Sequence, residues 1–211
     1  MRLEAVNIGR RETITLGART VETGIDKQPV ERARVGRLGV AGDTVADTAH
    51  HGGVDQAVYL YSREDYGWWE AELGSPLAPG TFGENLTVPS LGSSPRVGDR
   101  LRIGSALLEL TAPRVPCAVF ADRMGDPGWV KRFAIAGRPG AYARVLEEGE
   151  VAAGDPVELQ PTAEDHATLL ELFRLYYDQR APAAAIERAL QAPIAERERD
   201  HLEQRLAKLP A

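Results

Sequence analysis

The chain has 211 residues, 43% of them hydrophobic and 27% charged, with a formal net charge of −6. That composition belongs to a globular protein with a real core and excludes a disordered one. The acidic balance argues against a nucleic-acid polymer as partner, so any anion site must be a local basic pocket.

Residues 1–160 are rich in glycine and proline, with short apolar runs between turn signals, which predicts a compact, strand-dominated barrel or sandwich. Residues 3–8 read as a first strand and residues 57–61 as an apolar one. Ser62-Arg-Glu-Asp65 has capping-box spacing, and Tyr66, Trp69 and Leu73 then predict a short helix whose aromatic stripe is packing. Residues 99–103 and 106–111 predict a hairpin around Gly104-Ser105, a corner whose first residue needs φ > 0. Asp126-Pro127 predicts an N-cap and first turn for a helix over 128–136, stopped by Gly137. Residues 141–146 and 156–160 predict a second strand pair, joined through Gly149 and Gly154-Asp155.

Composition changes near Pro161, after which glycine vanishes and alanine, leucine, glutamate and arginine dominate. Thr162-Ala-Glu-Asp165 predicts another capping box, with Leu169, Leu170, Phe173 and Tyr177 as the apolar face that follows. Pro182 and Pro193 divide the remainder into helices over 183–191 and 195–208. Residues 162–211 therefore form a three-helix module, too small for an ample core and expected to dock on residues 1–160. His166 and His201 read as helix-surface or packing residues.

No apolar run approaches the ~20 residues that span a bilayer, so no membrane partner is expected. The N-terminus lacks a signal-peptide pattern, and a single cysteine suits a reducing compartment, so a cytoplasmic location is expected.

That cysteine, Cys117, follows a predicted strand in Thr111-Ala-Pro-Arg-Val-Pro-Cys-Ala-Val119. A buried small hydrophobe is the common fate of such a residue. Here Pro113 and Pro116 fix the backbone, and Arg114 places a positive charge that favours thiolate. Three other segments carry chemistry. Leu38 to Asp47 leads into His50-His-Gly-Gly-Val-Asp55, where a zinc or iron site with Asp43, Asp47 and Asp55 is conceivable but poorly spaced. Gly52-Gly53 instead suits close approach of backbone N–H groups to an anion. Thr81-Phe-Gly-Glu-Asn-Leu-Thr87 reads by itself as a turn, and Gly137-Arg-Pro-Gly-Ala-Tyr142 sets an arginine ahead of a strand. Lys27, Arg114 and Arg138, with His51, supply groups suited to a phosphate, yet no P-loop, dinucleotide fingerprint or nucleophile elbow is present.

Taken in order, Thr23-Gly-Ile-Asp-Lys-Gln-Pro-Val30, Gly39-Val-Ala-Gly-Asp43, His51-Gly-Gly-Val-Asp-Gln-Ala-Val-Tyr59, Phe82-Gly-Glu-Asn-Leu-Thr87, Pro113-Arg-Val-Pro-Cys117 and Gly137-Arg-Pro-Gly-Ala-Tyr-Ala-Arg-Val-Leu146 resemble the MOSC domain, named for the C-terminal domain of molybdenum-cofactor sulfurase. The resemblance is narrower to the YiiM-type hydroxylaminopurine resistance branch, whose three-helix extension the tail resembles. It implies a mainly β fold with α additions: a MOSC β-barrel over 1–160 with short helices, then the helical module. It also implies a pocket for the molybdenum cofactor (molybdopterin), with Cys117 as the catalytic thiolate and protein ligand of the metal. Lys27, His51, Asn85, Arg114 and Arg138 are nominated, by matching position, to bind the cofactor. The implied activity is reduction of the N–O bond in N-hydroxylated small molecules, hydroxylaminopurine-like bases included. Electrons would come from a separate flavoprotein-type donor, and the assembly state is left open, a homodimer included. Gln56 and Ala141 depart from the basic and aromatic residues common in the family, which would reshape the substrate side. Two other readings stand beside this one: a non-catalytic carrier of molybdenum cofactor or of sulfur as a Cys117 persulfide, and a binding module for a phosphorylated small molecule.

Overall fold

The computed structural model describes residues 1–48 and 51–209. Strands come first: β1 (Ala5–Gly9), β2 (Glu12–Leu16), β3 (Arg19–Thr23), β4 (Lys27–Val30), β5 (Arg32–Gly36) and β6 (Gly39–Val40). After a 3₁₀ turn at Val54–Gln56 come β7 (Val58–Ser62), α1 (Arg63–Leu73), β8 (Leu86–Val88), β9 (Arg100–Ile103) and β10 (Ala106–Ala112). Two helices, α2 (Ala118–Arg123) and α3 (Trp129–Ala136), precede β11 (Ala141–Glu147), β12 (Gly149–Ala152) and β13 (Val157–Gln160). The chain ends in α4 (Leu169–Tyr177), α5 (Ala183–Leu190) and α6 (Glu196–Leu206).

Eight strands form the main sheet in the order β13-β9-β10-β11-β7-β8-β1-β4, antiparallel except for the parallel pair β7 and β8. The expected closed barrel is not formed. At one end β13 meets the N-terminal residues through a single bridge between Arg2 and Pro156, and Pro156 has no N–H with which to extend a ladder. At the other end β4 carries Pro29, a residue suited to a sheet edge. The predicted hairpin is present: Ala106 pairs with Ile103, and Gly104 turns the corner at φ 53°. The second predicted pair is not. β11 lies between β10 and β7, β13 pairs with β9, and the intervening β12 leaves to pair with β5.

The local helix signals hold at α1, where the Ser62 side chain accepts from the Asp65 N–H at 3.1 Å, and at the end of α3, where Gly137 stops the helix in the left-handed region at φ 63°. The start of α3 differs, since Gly128 rather than Asp126 holds the N-cap position and the Asp126 carboxylate instead accepts from the Gly128 N–H at 2.8 Å. The cap at Thr162 does not open a helix. Its N–H donates to Asp99 Oδ1 at 2.8 Å, and the Ala167 carbonyl accepts from Val97 at 3.1 Å, so residues 162–167 run across the sheet as a strap. The working capping box is Thr168 with Glu171. The short α2, straight after Cys117, was not foreseen.

Two cores share the space. An aliphatic one joins Val58, Leu60, Leu108 and Leu110 of the sheet to Leu169, Leu172, Ile186, Ile194 and Leu202 of the helical module. An aromatic one gathers Tyr61, Tyr66, Trp69, Phe82, Phe120, Trp129 and Phe133, with Phe173 reaching in from α4. The module thus buries its apolar faces against the sheet rather than holding a core alone, and the start of α6 is tied to the sheet body where the Ala195 N–H donates to the Thr111 carbonyl and the Glu196 N–H to Asp55 Oδ2.

Candidate functional site

A cavity of about 600 Å³ opens between the β1–β4 edge, the loop after β10 and helix α6. Lys27, His51, Asn85, Arg114 and Cys117, five of the six residues nominated from sequence, line it, together with Asp43, Tyr59, Tyr142 and Gln56. Arg138 does not join them: its guanidinium is ion-paired with Asp65 and lies 4.7 Å from the Trp68 ring. Ala141 is a fully buried core residue opposite Leu60 rather than part of the wall. His50 falls outside the described residues, and no group of three or more histidines, cysteines or acids among the described residues could hold a metal ion.

The floor is built on Asp43. Lys27, first residue of β4, donates to both its oxygens, at 2.6 Å to Oδ2. The Gly9 N–H donates to Oδ1 at 2.7 Å, and Asn85 Nδ2 donates to Oδ2 at 2.8 Å. Asn85 is itself held because its Oδ1 accepts from the Tyr59 N–H at 3.1 Å. Burial pushes the Lys27 ammonium below its ordinary range, the Asp43 carboxylate holds it up, and nearby Arg114 adds to the depression. A buried pair of this kind contributes little net stability, but it leaves a costly charge when broken.

The Phe82-Gly-Glu-Asn85 corner is more than a turn. Glu84 is fully buried, and its Oε1 accepts from the Tyr66 hydroxyl at 2.6 Å, the Gly80 N–H at 2.7 Å and the Thr87 hydroxyl at 2.7 Å. Burial raises its carboxyl despite these bonds. The corner also seats Arg114. A Cβ on Gly83 (φ 71°) would stand 3.0 Å from Ile25 Cγ1 and 3.2 Å from Arg114 Nη1, so only glycine lets the arginine through.

Arg114 is 4% exposed, donates to the Phe82 carbonyl, and lies 4.3 Å from the Phe120 ring and 4.9 Å from the Tyr59 ring. Its Nε is buried without a hydrogen-bond partner among the described residues. Cys117, half-buried, sits three residues on and provides the N-cap position of α2. The two are close enough for charge on the sulfur to be felt at Arg114 and at Tyr142. The Tyr142 hydroxyl is 3.4 Å from His51 Nδ1, which ties β11 to the loop bearing His51.

Sequence reasoning missed the fourth wall. Tyr176 of α4 and Arg197, Glu198 and His201 of α6 line the same cavity. Arg197 reaches back across the chain, donating to the Thr48 carbonyl at 2.8 Å, the Gly52 carbonyl at 3.1 Å and Gln56 Oε1 at 2.9 Å, so it clamps the His51 loop from the helical module. Gln56, which stands where the family resemblance leads one to expect a basic residue, here accepts from that arginine. His201 stacks on Tyr176 with ring centroids 5.5 Å apart, which agrees with its reading as a packing residue, and it lines the cavity as well. Residues that converge only through tertiary packing leave no spacing signal.

Comparison with known proteins agrees with this architecture. The MOSC domain model matches residues 47–158, and the YiiM-like, 3-alpha helix domain model matches residues 168–209. The chain is 37% identical over 188 residues to "Uncharacterized protein YflK" of Bacillus subtilis (strain 168), covering 88% of this chain and 85% of that protein. It is 30% identical over 179 residues to a protein named "Reductase" from Gibberella moniliformis, covering 82% of this chain but 31% of that much longer one. Among solved structures, YiiM from Geobacillus stearothermophilus superposes with a TM-score of 0.80 at 29% identity, over 97% of this chain and 98% of that one. YiiM from Escherichia coli superposes with a TM-score of 0.76 at 25% identity, over 98% and 93% of the two chains. With an open eight-stranded sheet, a cysteine-bearing cavity and a docked helical tail in the matching order, the chain belongs to the MOSC domain family, in the branch that carries the YiiM-like three-helix extension.

Proposed function

We propose that this protein is a molybdenum-cofactor-dependent reductase that cleaves N–O bonds of N-hydroxylated small molecules, with Cys117 as the protein ligand of the metal. The observation that carries the reading is the placing in one cavity of a half-buried thiol and, three residues before it, Arg114, a buried guanidinium whose Nε has no hydrogen-bond partner among the described residues. A buried cation of this kind is costly unless an anion comes to it.

The residues fit the group. Thiolate is a soft donor appropriate to such a metal, and guanidinium is the natural partner of a phosphate or of a thiolate. Arg114 would meet the anionic part of the cofactor and stabilise the Cys117 thiolate. Lys27, locked on Asp43, and Asn85, locked on the Tyr59 backbone, would present fixed donors on the floor. His51, held by Tyr142 and by the Arg197 clamp, would close the side. When bound, the cofactor would supply the two-electron chemistry, fed by a separate flavoprotein-type donor. The chain's own work is to orient the substrate, hold the thiolate and keep bulk water from the reacting bond.

The test is the molybdenum and pterin content of protein made in a molybdate-fed, cofactor-competent host, with turnover of 6-hydroxylaminopurine and Cys117→Ala alongside. Near-stoichiometric loading that falls in the variant, with turnover by the wild type, is the expected result. Loading without turnover, or a reducible sulfur adduct on Cys117 in intact-mass spectra, would favour a carrier instead.

A further inference from the structure

Glu198 and His201 are three residues apart on α6 and so share one helix face, with Cβ atoms about 5–6 Å apart. That face lines the same cavity as the thiol-bearing loop. Each residue keeps a buried polar atom with no hydrogen-bond partner, Oε1 of Glu198 and Nε2 of His201. Buried polar atoms are nearly always paired, so two orphans on one cavity wall call for a ligand that completes them.

We infer that Glu198 is the general acid of this cavity, with His201, one turn along the same face, presenting a second polar atom to the substrate, together serving the N–O bond cleavage proposed above, on which this inference rests. In the overall reaction R–NH–OH takes up two electrons and two protons and gives R–NH₂ and water. The electron pair comes from the reduced flavoprotein-class donor and breaks the N–O bond. One proton goes to the departing oxygen from the Glu198 carboxyl, and the other to nitrogen from solvent. Glu198 is then reprotonated from solvent.

The surroundings support a carboxyl that holds its proton near neutrality. Burial raises the Glu198 carboxyl to about 7, with Arg205 pulling weakly the other way. Burial, then Arg205 and Lys208, lowers the His201 imidazole, which therefore stays neutral and keeps one donor and one acceptor. Several neighbouring groups are engaged. Arg205 donates to the Asp178 carbonyl at 2.6 Å, Arg197 to the His51 loop, and Tyr176 of α4 stacks on His201. The same cavity is lined by the Lys27–Asp43 pair, Asp47, Arg114, Cys117, and His51 beside Tyr142.

The experiment has two parts. In cofactor-free protein labelled with ¹³C at glutamate carboxyls, one resonance is expected to titrate with a midpoint near 7 and to vanish in Glu198→Gln. A Glu198 midpoint in the ordinary carboxylate range would overturn the inference. In the loaded protein, driven by reduced methyl viologen with 6-hydroxylaminopurine, Glu198→Gln is expected to lower kcat/KM about 100-fold and to abolish the fall in rate above neutral pH. His201→Gln is expected to shift that fall in pH, with molybdenum and pterin content unchanged in both variants. Wild-type turnover with an unaltered Glu198→Gln rate and pH profile would refute the acid alone. No turnover by fully loaded wild type would refute the reductase reading as well.

Discussion

Replacing Asp43 by asparagine probes the floor of the cavity directly. Asp43 is 6% exposed and Lys27 7%, and Asp43 accepts from Lys27, the Gly9 N–H and Asn85. An asparagine offers one acceptor oxygen where the carboxylate offered two, so at least one donor is orphaned and the Lys27 ammonium stays buried without its counter-ion. Breaking a buried pair from one side costs about 3–5 kcal/mol. For a domain of this size, about 2–4 °C is lost per kcal/mol, so the melting temperature should fall by about 6–20 °C. The loss has a sign in pH. Lys27 already has a folded pKa below its unfolded value, and Asp43 is what holds it up. Without Asp43 the folded pKa drops further, so the unfolded state binds more protons over a wider window below about 10.4. Stability of Asp43→Asn therefore recovers as pH rises through that window, and its deficit against wild type narrows. Urea unfolding at a series of pH values measures this, with Lys27→Met/Asp43→Asn as the second arm. The double variant is expected to recover a substantial part of the loss, since no charge is left to bury. A deficit below about 1 kcal/mol at neutral pH, or one that does not change with pH, would refute the account.

Other consequences can be checked more briefly. Gly83→Ala meets a left-handed backbone as well as the Ile25 and Arg114 contacts, so a loss of about 1–3 kcal/mol in urea unfolding and weaker cofactor retention are expected. Cys117→Ala is expected to change apoprotein stability by less than about 1 kcal/mol while removing most bound molybdenum, as metal analysis would report. Glu198 has a folded pKa above its unfolded one, so wild-type stability falls as pH rises from about 4.5 through about 7. In Glu198→Gln that component disappears, and flat melting temperatures in both proteins over this range would contradict the burial of its carboxyl. Arg197→Ala releases the Thr48, Gly52 and Gln56 contacts, and faster proteolysis near residue 50 than in wild type would report the loosened loop.

Much of the local structure was legible because short-range chemistry decides it. Gly104-Ser105 can make a two-residue corner, and Ser62 can accept from an N–H three residues on; both needed only neighbours in sequence. Thr162 had the same local credentials as Thr168, yet only Thr168 caps a helix, because the Asp99 carboxylate takes the Thr162 N–H for the strap across the sheet. Arg138 lay in as good a motif as Arg114, but Asp65 and Trp68, both on α1, claim it. The resemblance of ordered motifs found Lys27, His51, Asn85, Arg114 and Cys117, and these do line one cavity.

By itself, the sequence determined the strand-rich body, the helical tail, and the thiol that follows two prolines and an arginine. These follow from periodicity, proline and glycine chemistry, and motif order, all of which are written along the chain. Only the tertiary structure decided that the sheet stays open, with Pro156 and Pro29 marking its ends, and that α6 closes the cavity with Arg197, Glu198 and His201. Those outcomes depend on which buried faces meet, and pairing between residues more than a hundred positions apart is set by packing rather than by any local preference.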